Sequence, residues 1–212
     1  SSKFILNDLN KSYSGENICF SYSPFDYQNV FNASIKGARL LSQAYSISND
    51  YNLKNISKKV INFVVDNQNS NGSWYYSLDS RGEWVDNYHT GYVLDCLDEY
   101  QSLTKDKAYS ANIKSGYLYY LNNFVTEEGI PKFYNNNIYP VDCTSASQMI
   151  LTTMRFGDLN TSRKIILWMI NNMQNDNGSF KFRKFRRYTI NTSFMRWSNA
   201  WMFASMSEYI NA

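Results

Sequence analysis

The sequence predicts an all-α protein, an incomplete α/α toroid of about 3.5 chained helical hairpins with short β segments confined to its turns. Three observations predict it. A glycine turn recurs after an apolar helical run, a polar helix-capping residue follows each turn at nearly constant distance, and the helices fall into two classes of alternating character.

The turn is clearest in two stretches. Ile61 to Trp74 (INFVVDNQNSNGSW) and Leu167 to Phe180 (LWMINNMQNDNGSF) share an apolar run, a Gln, three polar residues, then Gly, Ser and an aromatic. Leu118 to Lys132 (LYYLNNFVTEEGIPK) keeps the apolar run and Gly129 but lacks the Gln and the large aromatic, and reads as a degenerate copy. A fainter copy surrounds Gly15. Gly15, Gly72, Gly129 and Gly178 thus mark a unit of about fifty to sixty residues. Any strands belong after Gly72, Gly129 and Gly178, where Trp74-Tyr75-Tyr76, Lys132-Phe133-Tyr134 and Phe180-Lys181-Phe182 are β-like.

After each turn, Asp26, Asp86, Asp142 and Asn191 stand where a helix begins, and Asp and Asn are favoured N-caps because their side chains accept an otherwise orphaned amide. The helices they open, roughly 30–48, 88–102, 144–156 and 193–210, are rich in Ala, Leu, Met and aromatics and are predicted to line the inside. Those of roughly 53–67, 107–124 and 159–173 carry more Lys, Asn and Tyr on one side and are predicted to lie outside, with Lys58, Lys107 and Lys164 on the outer wall. The chain starts without Met and without the outer helix of its first unit. It is therefore expected to be one toroid domain over 1–212, a fragment of a longer protein that lacks an N-terminal part.

Composition excludes several classes. Apolar residues are 43% and charged residues 18% of the chain, which excludes a disordered polyampholyte. No apolar run is long enough for a membrane span. Cys19, Cys96 and Cys143 are odd in number, widely spaced and without CxxC, so neither a disulfide framework nor a Cys-rich zinc site is expected, and a reducing, cytoplasmic compartment fits. The net charge of +3 is too small for a nucleic-acid binder, and its cations cluster in Lys181-Phe182-Arg183-Lys184-Phe185-Arg186-Arg187. That run reads either as a solvated hairpin strand, the favoured reading, or as a track for an acidic polysaccharide.

In such a toroid the N-termini of the inner helices converge on one mouth, where their free amides favour an anion. The candidate site is therefore Asn32, Asp86, Asn87, Tyr88, His89, Asp142, Ser145, Gln148, Arg196, Trp197 and Asn199. His89 is the only histidine. It is either a structural residue or a general acid or base assisted by Tyr88 and Asp86, which makes these three the catalytic candidates and the others substrate-binding ones. Asp86 and Asp142 admit a paired-carboxylate reading of the glycosidase kind, but the recurrence of Asp26 and Asn191 favours plain N-caps. Trp74 is expected to plug the core and Trp197 to line the cavity. Gln68 and Gln174 are expected to tie each turn to its preceding helix. No metal and no cofactor are expected.

Gln68, Gly72 and Trp74, echoed by Gln174, Gly178 and Phe180, resemble the repeat motif of the terpenoid-cyclase and protein-prenyltransferase toroids. The fold transfers, the chemistry does not: the cyclase Asp-x-Asp-Asp is absent, and Asp142-Cys143 does not supply the prenyltransferase Asp-x-Cys. Tyr22-Ser23-Pro24 with Asn32-Ala33-Ser34, Trp84 through Gly91, Asp142 with Ser145 and Gln148, and Arg196 through Met202 are similar to features of an uncharacterised bacterial group associated with polysaccharide biosynthesis. That likeness implies work on a surface or capsular glycan. Two functions follow: a glycan-active enzyme acting on an acidic, uronate-type saccharide as epimerase, lyase or hydrolase, and a non-catalytic toroid that binds glycan or a protein partner. An acidic saccharide is the expected partner, with no nucleic acid.

Overall fold

The computed structural model describes residues 1–212, and 57% of them are helical. The chain forms two compact units, one of Ser1–Val85 with Tyr92–Tyr119, the other of Asp86–Gly91 with Tyr120–Ala212.

The first unit begins with a short helix α1 (Ser2–Asn7) and an antiparallel hairpin of β1 (Lys11–Ser14) and β2 (Asn17–Phe20). The hairpin turns at Gly15, whose φ is +58°. The expected faint helical copy at Gly15 is thus corrected to a β-hairpin, because a left-handed glycine serves a strand turn as well as a helix turn. Helices α2 (Phe31–Ser48) and α3 (Tyr51–Asp66) follow and pack as a hairpin. Asp50 caps α3 through the Asn52 amide. Ser42 and Ser57 hydroxyls, 2.6 Å apart and buried, close the two helices together over the Ala38 carbonyl. Small side chains there let the backbones approach. Trp74 is buried and donates its indole N–H to Val64 O at 2.9 Å, the expected core plug.

Helix α4 (Asn87–Thr104) begins in the second unit and continues in the first, while α5 (Ser110–Phe124) runs the other way. The second unit goes on with β3 (Val141–Asp142), α6 (Cys143–Arg155), α7 (Leu159–Met173), β4 (Arg183–Lys184), β5 (Thr189–Ile190) and α8 (Trp201–Ile210), the last preceded by a π-helical turn over Met195–Ala200. Strands β3, β4 and β5 form one antiparallel sheet in that order. The α6–α7 hairpin repeats the hydroxyl clasp of the first, with Thr153 Oγ1 and Ser162 Oγ 2.7 Å apart. Met149, Ile150, Ile165, Met169 and Met202 fill its core.

The sequence repeat is a repeat of bonds. Gln68 donates to Gly72 O at 2.9 Å and Gln174 to Gly178 O at 3.0 Å, while Asn69 and Asn175 N–H groups close on Ser73 and Ser179 carbonyls. Gly72, Gly129 and Gly178 have φ of +92°, +85° and +84°. Gln68 ties its turn to the preceding helix, its backbone N–H on Val65 O at 3.0 Å, and its side chain also reaches α5 through Asn112 O and the Asn112 amide. The strand expectation changes, since β1 and β2 lie at Gly15, outside the three turns where strands are expected, and after Gly72 there are only isolated bridges, Val30 with Ser77 and Asp86 with Tyr134. Lys58, Lys107 and Lys164 are exposed.

Candidate active site

Asp86 and Asp142 are the N-caps that the sequence predicts. Asp86 Oδ1 accepts the His89 amide at 2.9 Å, and Asp142 Oδ1 accepts the Ser145 amide at 3.0 Å. The other two predicted caps are corrected. Asp26 closes a local turn, accepting from the Tyr22 and Gln28 amides and the Ser23 hydroxyl, and α2 starts later, at Phe31. Asn191 precedes the π turn, where Ser198 accepts from the Phe194 amide instead.

Capping occupies one oxygen of each aspartate and leaves the other aimed at a nitrogen-bearing side chain. Asp86 Oδ2 lies 2.7 Å from His89 Nδ1, and Asp86 is nearly fully buried while the His89 side chain is 27% exposed. A carboxylate on Nδ1 holds the proton there and makes Nε2 the basic nitrogen. Asp142 Oδ2 accepts from Arg183 Nε at 2.8 Å and from its NH2 group at 2.6 Å. Arg183 also stands over the Phe133 and Phe182 rings, at 5.3 and 5.1 Å from their centroids. The caps therefore become two oriented pairs, a carboxylate–imidazole pair and a carboxylate–guanidinium ion pair.

Around the second pair is a cavity of about 330 Å³ lined by Tyr88, Phe133, Asp142, Thr144, Phe182, Arg183 and Trp197. Tyr88 joins it to the dyad, its ring packed edge-on against His89 at 5.4 Å and Trp201 at 5.8 Å. Trp197 is 52% exposed, and its carbonyl accepts the Thr144 hydroxyl. Gln148 is buried in the same unit, with its amide on Thr152 Oγ1 and its chain against Gly91, two residues beyond His89. Ser145 Oγ is buried without a hydrogen-bond partner.

The remaining candidates are placed differently. Asn87 is fully buried and spends its groups on protein: its N–H goes to Phe133 O, its amide to Lys132 O, and its Oδ1 accepts Tyr120 Oη at 2.5 Å. It anchors the 132–133 segment to the start of α4. Arg196 is exposed on the π turn and does not line the cavity. Asn199 accepts the Phe180 amide at 2.8 Å and borders a different concavity with Gln174, Phe203 and Ile210. Asn32 lies in the other unit, near the start of α2, its Oδ1 buried without a partner. Arg183 is the site residue that sequence reasoning missed, visible only as one cation of the basic run.

Cys143 lies beside Asp142, and burial, with a smaller contribution from that carboxylate, raises its thiol pKa far above the usual range. It stays protonated and is no nucleophile. No helix is long and apolar enough to cross a membrane.

No protein-family model and no curated protein matches the sequence. Solved structures do. A possible member of glycoside hydrolase family 105 from Salmonella enterica serovar Paratyphi A matches with a TM-score of 0.74 at 13% identity, over 99% of this chain and 64% of that one. Cellobiose 2-epimerase from Bacillus thermoamylovorans matches with a TM-score of 0.71 at 10% identity, over 99% and 66%. An unsaturated glucuronyl hydrolase specific for heparin matches with a TM-score of 0.60 at 14% identity, over 96% and 56%. The chain thus spans less than two thirds of the length of each of these three proteins. At such identities the likeness establishes architecture, and the chain has the α/α-toroid fold.

Proposed function

We propose that this chain is part of a glycan-active protein of bacterial polysaccharide metabolism that works on an acidic, uronate-type saccharide, with His89 transferring the proton. The observation that carries the reading is the Asp86–His89 dyad, set in the same compact unit as a cavity walled by Tyr88, Trp197 and the Arg183 guanidinium. A histidine oriented by a buried carboxylate is suited to general acid or base work. Arg183 has five N–H donors, and those not spent on Asp142 remain for a second carboxylate. Aromatic rings beside it suit the apolar face of a sugar. Epimerase, lyase and hydrolase reactions on a uronate all need such a proton transfer. A structural neighbour named as an unsaturated glucuronyl hydrolase specific for heparin supports the acidic class, and one named as a cellobiose 2-epimerase supports a saccharide in general. Three buried free thiols are in keeping with a cytoplasmic setting.

A second reading, a glycan-binding toroid without catalysis, is favoured by one observation. Asp86 and Asp142 each spend one oxygen on a helix cap and the other on a side-chain nitrogen, of His89 and Arg183 respectively, so neither stands ready as a second acid.

The test is turnover of an unsaturated glucuronyl disaccharide, followed by loss of its ring double bond, and of a saturated uronide in D2O, followed by deuterium uptake. His89→Gln should lower turnover about 10²–10⁴-fold with stability within about 1 kcal/mol of wild type. Binding by the wild type without turnover puts the second reading first. A His89→Gln protein that melts several degrees lower and loses activity only with its folded fraction makes His89 a packing residue.

A further inference from the structure

The basic run does more than supply Arg183. Five of the residues from Lys181 to Arg187 are cations, and without them the net charge of +3 would be negative. Positive charge in this chain is therefore a local feature. Arg183 is paired with Asp142, whereas Lys181, Lys184, Arg186 and Arg187 have no carboxylate at ion-pair distance. Like charges held this close repel one another, and a bound polyanion relieves that repulsion.

The run is also built. Lys184 pairs with Val141 and Thr189, and Arg183 with Asp142 and Ile190, so β4 is fixed on both edges. Phe182 O accepts the Cys143 amide at 3.0 Å, which pins its root to α6. At the tip, the Phe185 amide donates to Tyr188 O at 2.8 Å and the two rings stack, centroids 4.6 Å apart at 17°. Arg186 and Arg187 occupy the exposed turn between those rings. At the root, Phe182 and Arg183 are walls of the cavity. From Arg183 to the tip an extended chain covers about 10–13 Å, which takes the cations well beyond anything seated at Arg183.

We propose that the β4–β5 hairpin is a binding arm for the body of an anionic polysaccharide whose end lies in the cavity. The ligand is a polymer with carboxylate or sulfate groups on successive residues. This rests on the proposed function, since it takes the cavity as the sugar site and adds that the substrate is long. Charge, more than stacking, is what the arm presents: Phe185 and Tyr188 spend ring faces on each other, whereas single-stranded nucleic-acid binders keep open rings for bases.

The test is equilibrium titration with heparin, with neutral dextran and with single-stranded DNA of matched charge, each at several salt concentrations, using wild type and the double variant Arg186→Gln/Arg187→Gln. Both arginines are exposed, and a thermal melt verifies that the variant folds; Lys184→Gln provides a second, independent variant. Wild type should bind heparin more tightly than DNA and leave dextran unbound. The plot of log K against log salt should become shallower by about 2 in the double variant and about 1 in Lys184→Gln. Unchanged slopes overturn the arm, and DNA binding as tight as heparin assigns it to nucleic acid instead. Heparin binding needs no turnover, so a protein that is inert yet binds through the hairpin refutes the catalytic reading and leaves the arm standing.

Discussion

Gly129 and Gly178 hold equivalent places in two copies of the turn, with φ of +85° and +84°, but their surroundings differ. A Cβ at 129 would lie 2.7 Å from the Lys164 carbonyl oxygen and 2.8 Å from its carbon, whereas at 178 it would meet nothing within 4 Å. Gly178→Ala therefore costs only the left-handed backbone, about 1–2 kcal/mol. Gly129→Ala adds a clash with the backbone of α7, which cannot rotate away, for a further ~1–3 kcal/mol. In a chain of this length each kcal/mol moves the melting temperature by roughly 2–4 °C. Differential scanning calorimetry should thus place Gly178→Ala a few degrees below wild type and Gly129→Ala at least about 2 °C lower again. Asparagine, which tolerates the left-handed region, should recover most of the loss at 178 and little of it at 129. The turn at Gly129 also delivers Lys132 and Phe133 to Asn87, so its variant should lose more activity than its stability alone explains. Equal losses at the two glycines would refute the steric argument.

Asp86→Asn should keep the cap and lie within a few tenths of a kcal/mol of wild type, while Asp86→Ala should lose about 1 kcal/mol in urea unfolding. Both should lower uronide turnover about 10²–10⁴-fold, and full turnover in Asp86→Asn would mean that the carboxylate does not position the imidazole. Tyr120→Phe leaves the buried Asn87 Oδ1 without its donor and should cost about 1–3 kcal/mol; a change below about 0.5 kcal/mol counts against Asn87 as an anchor. Burial pushes the Cys19 thiol up to about 11 and the Cys96 thiol up to about 12, from 9.0. Between pH 9.0 and about 11 the unfolded chain loses protons that the folded chain keeps, so stability is whole below that window and falls as pH rises through it, by about 1.4 kcal/mol per thiol per pH unit. Urea midpoints that stay level from about pH 9 to about pH 10 would contradict this.

The repeat was legible because its turn demands particular residues: a glycine where φ is positive, a Gln whose amide reaches the Gly carbonyl, and an Asn and a Ser to close the loop. Helix α7 begins at Leu159 and ends at Met173, as the pattern of the sequence predicts. Asp86 and Asp142 were legible as caps for a local reason, since a cap bonds within its own first turn. Asp26 was not, because a serine three residues before it offers a competing local bond, and sequence spacing alone does not rank the two. Arg183 was illegible as an individual. Which cation of the run meets Asp142 is decided by the register of β4 on β3, a pairing of residues far apart in sequence. Arg196, Trp197 and Asn199 look like one functional group in sequence, but the π turn sends their side chains to solvent, to the cavity and to the Phe180 amide.

The chain passes between its two compact units three times, and one passage is only six residues long: Asp86–Gly91 belongs with the C-terminal half although its neighbours on both sides fold with the N-terminal half. This has a consequence for dissecting the protein genetically. A fragment starting at Tyr120 would contain Arg183, the basic hairpin and every cavity wall except Tyr88, but neither Asp86 nor His89, while the complementary fragment would carry the dyad without the Phe133 and Lys132 carbonyls that hold Asn87 in place. Neither contiguous piece contains the whole candidate site. Mixing the two fragments, rather than expressing either alone, is the arrangement in which complementation would restore it.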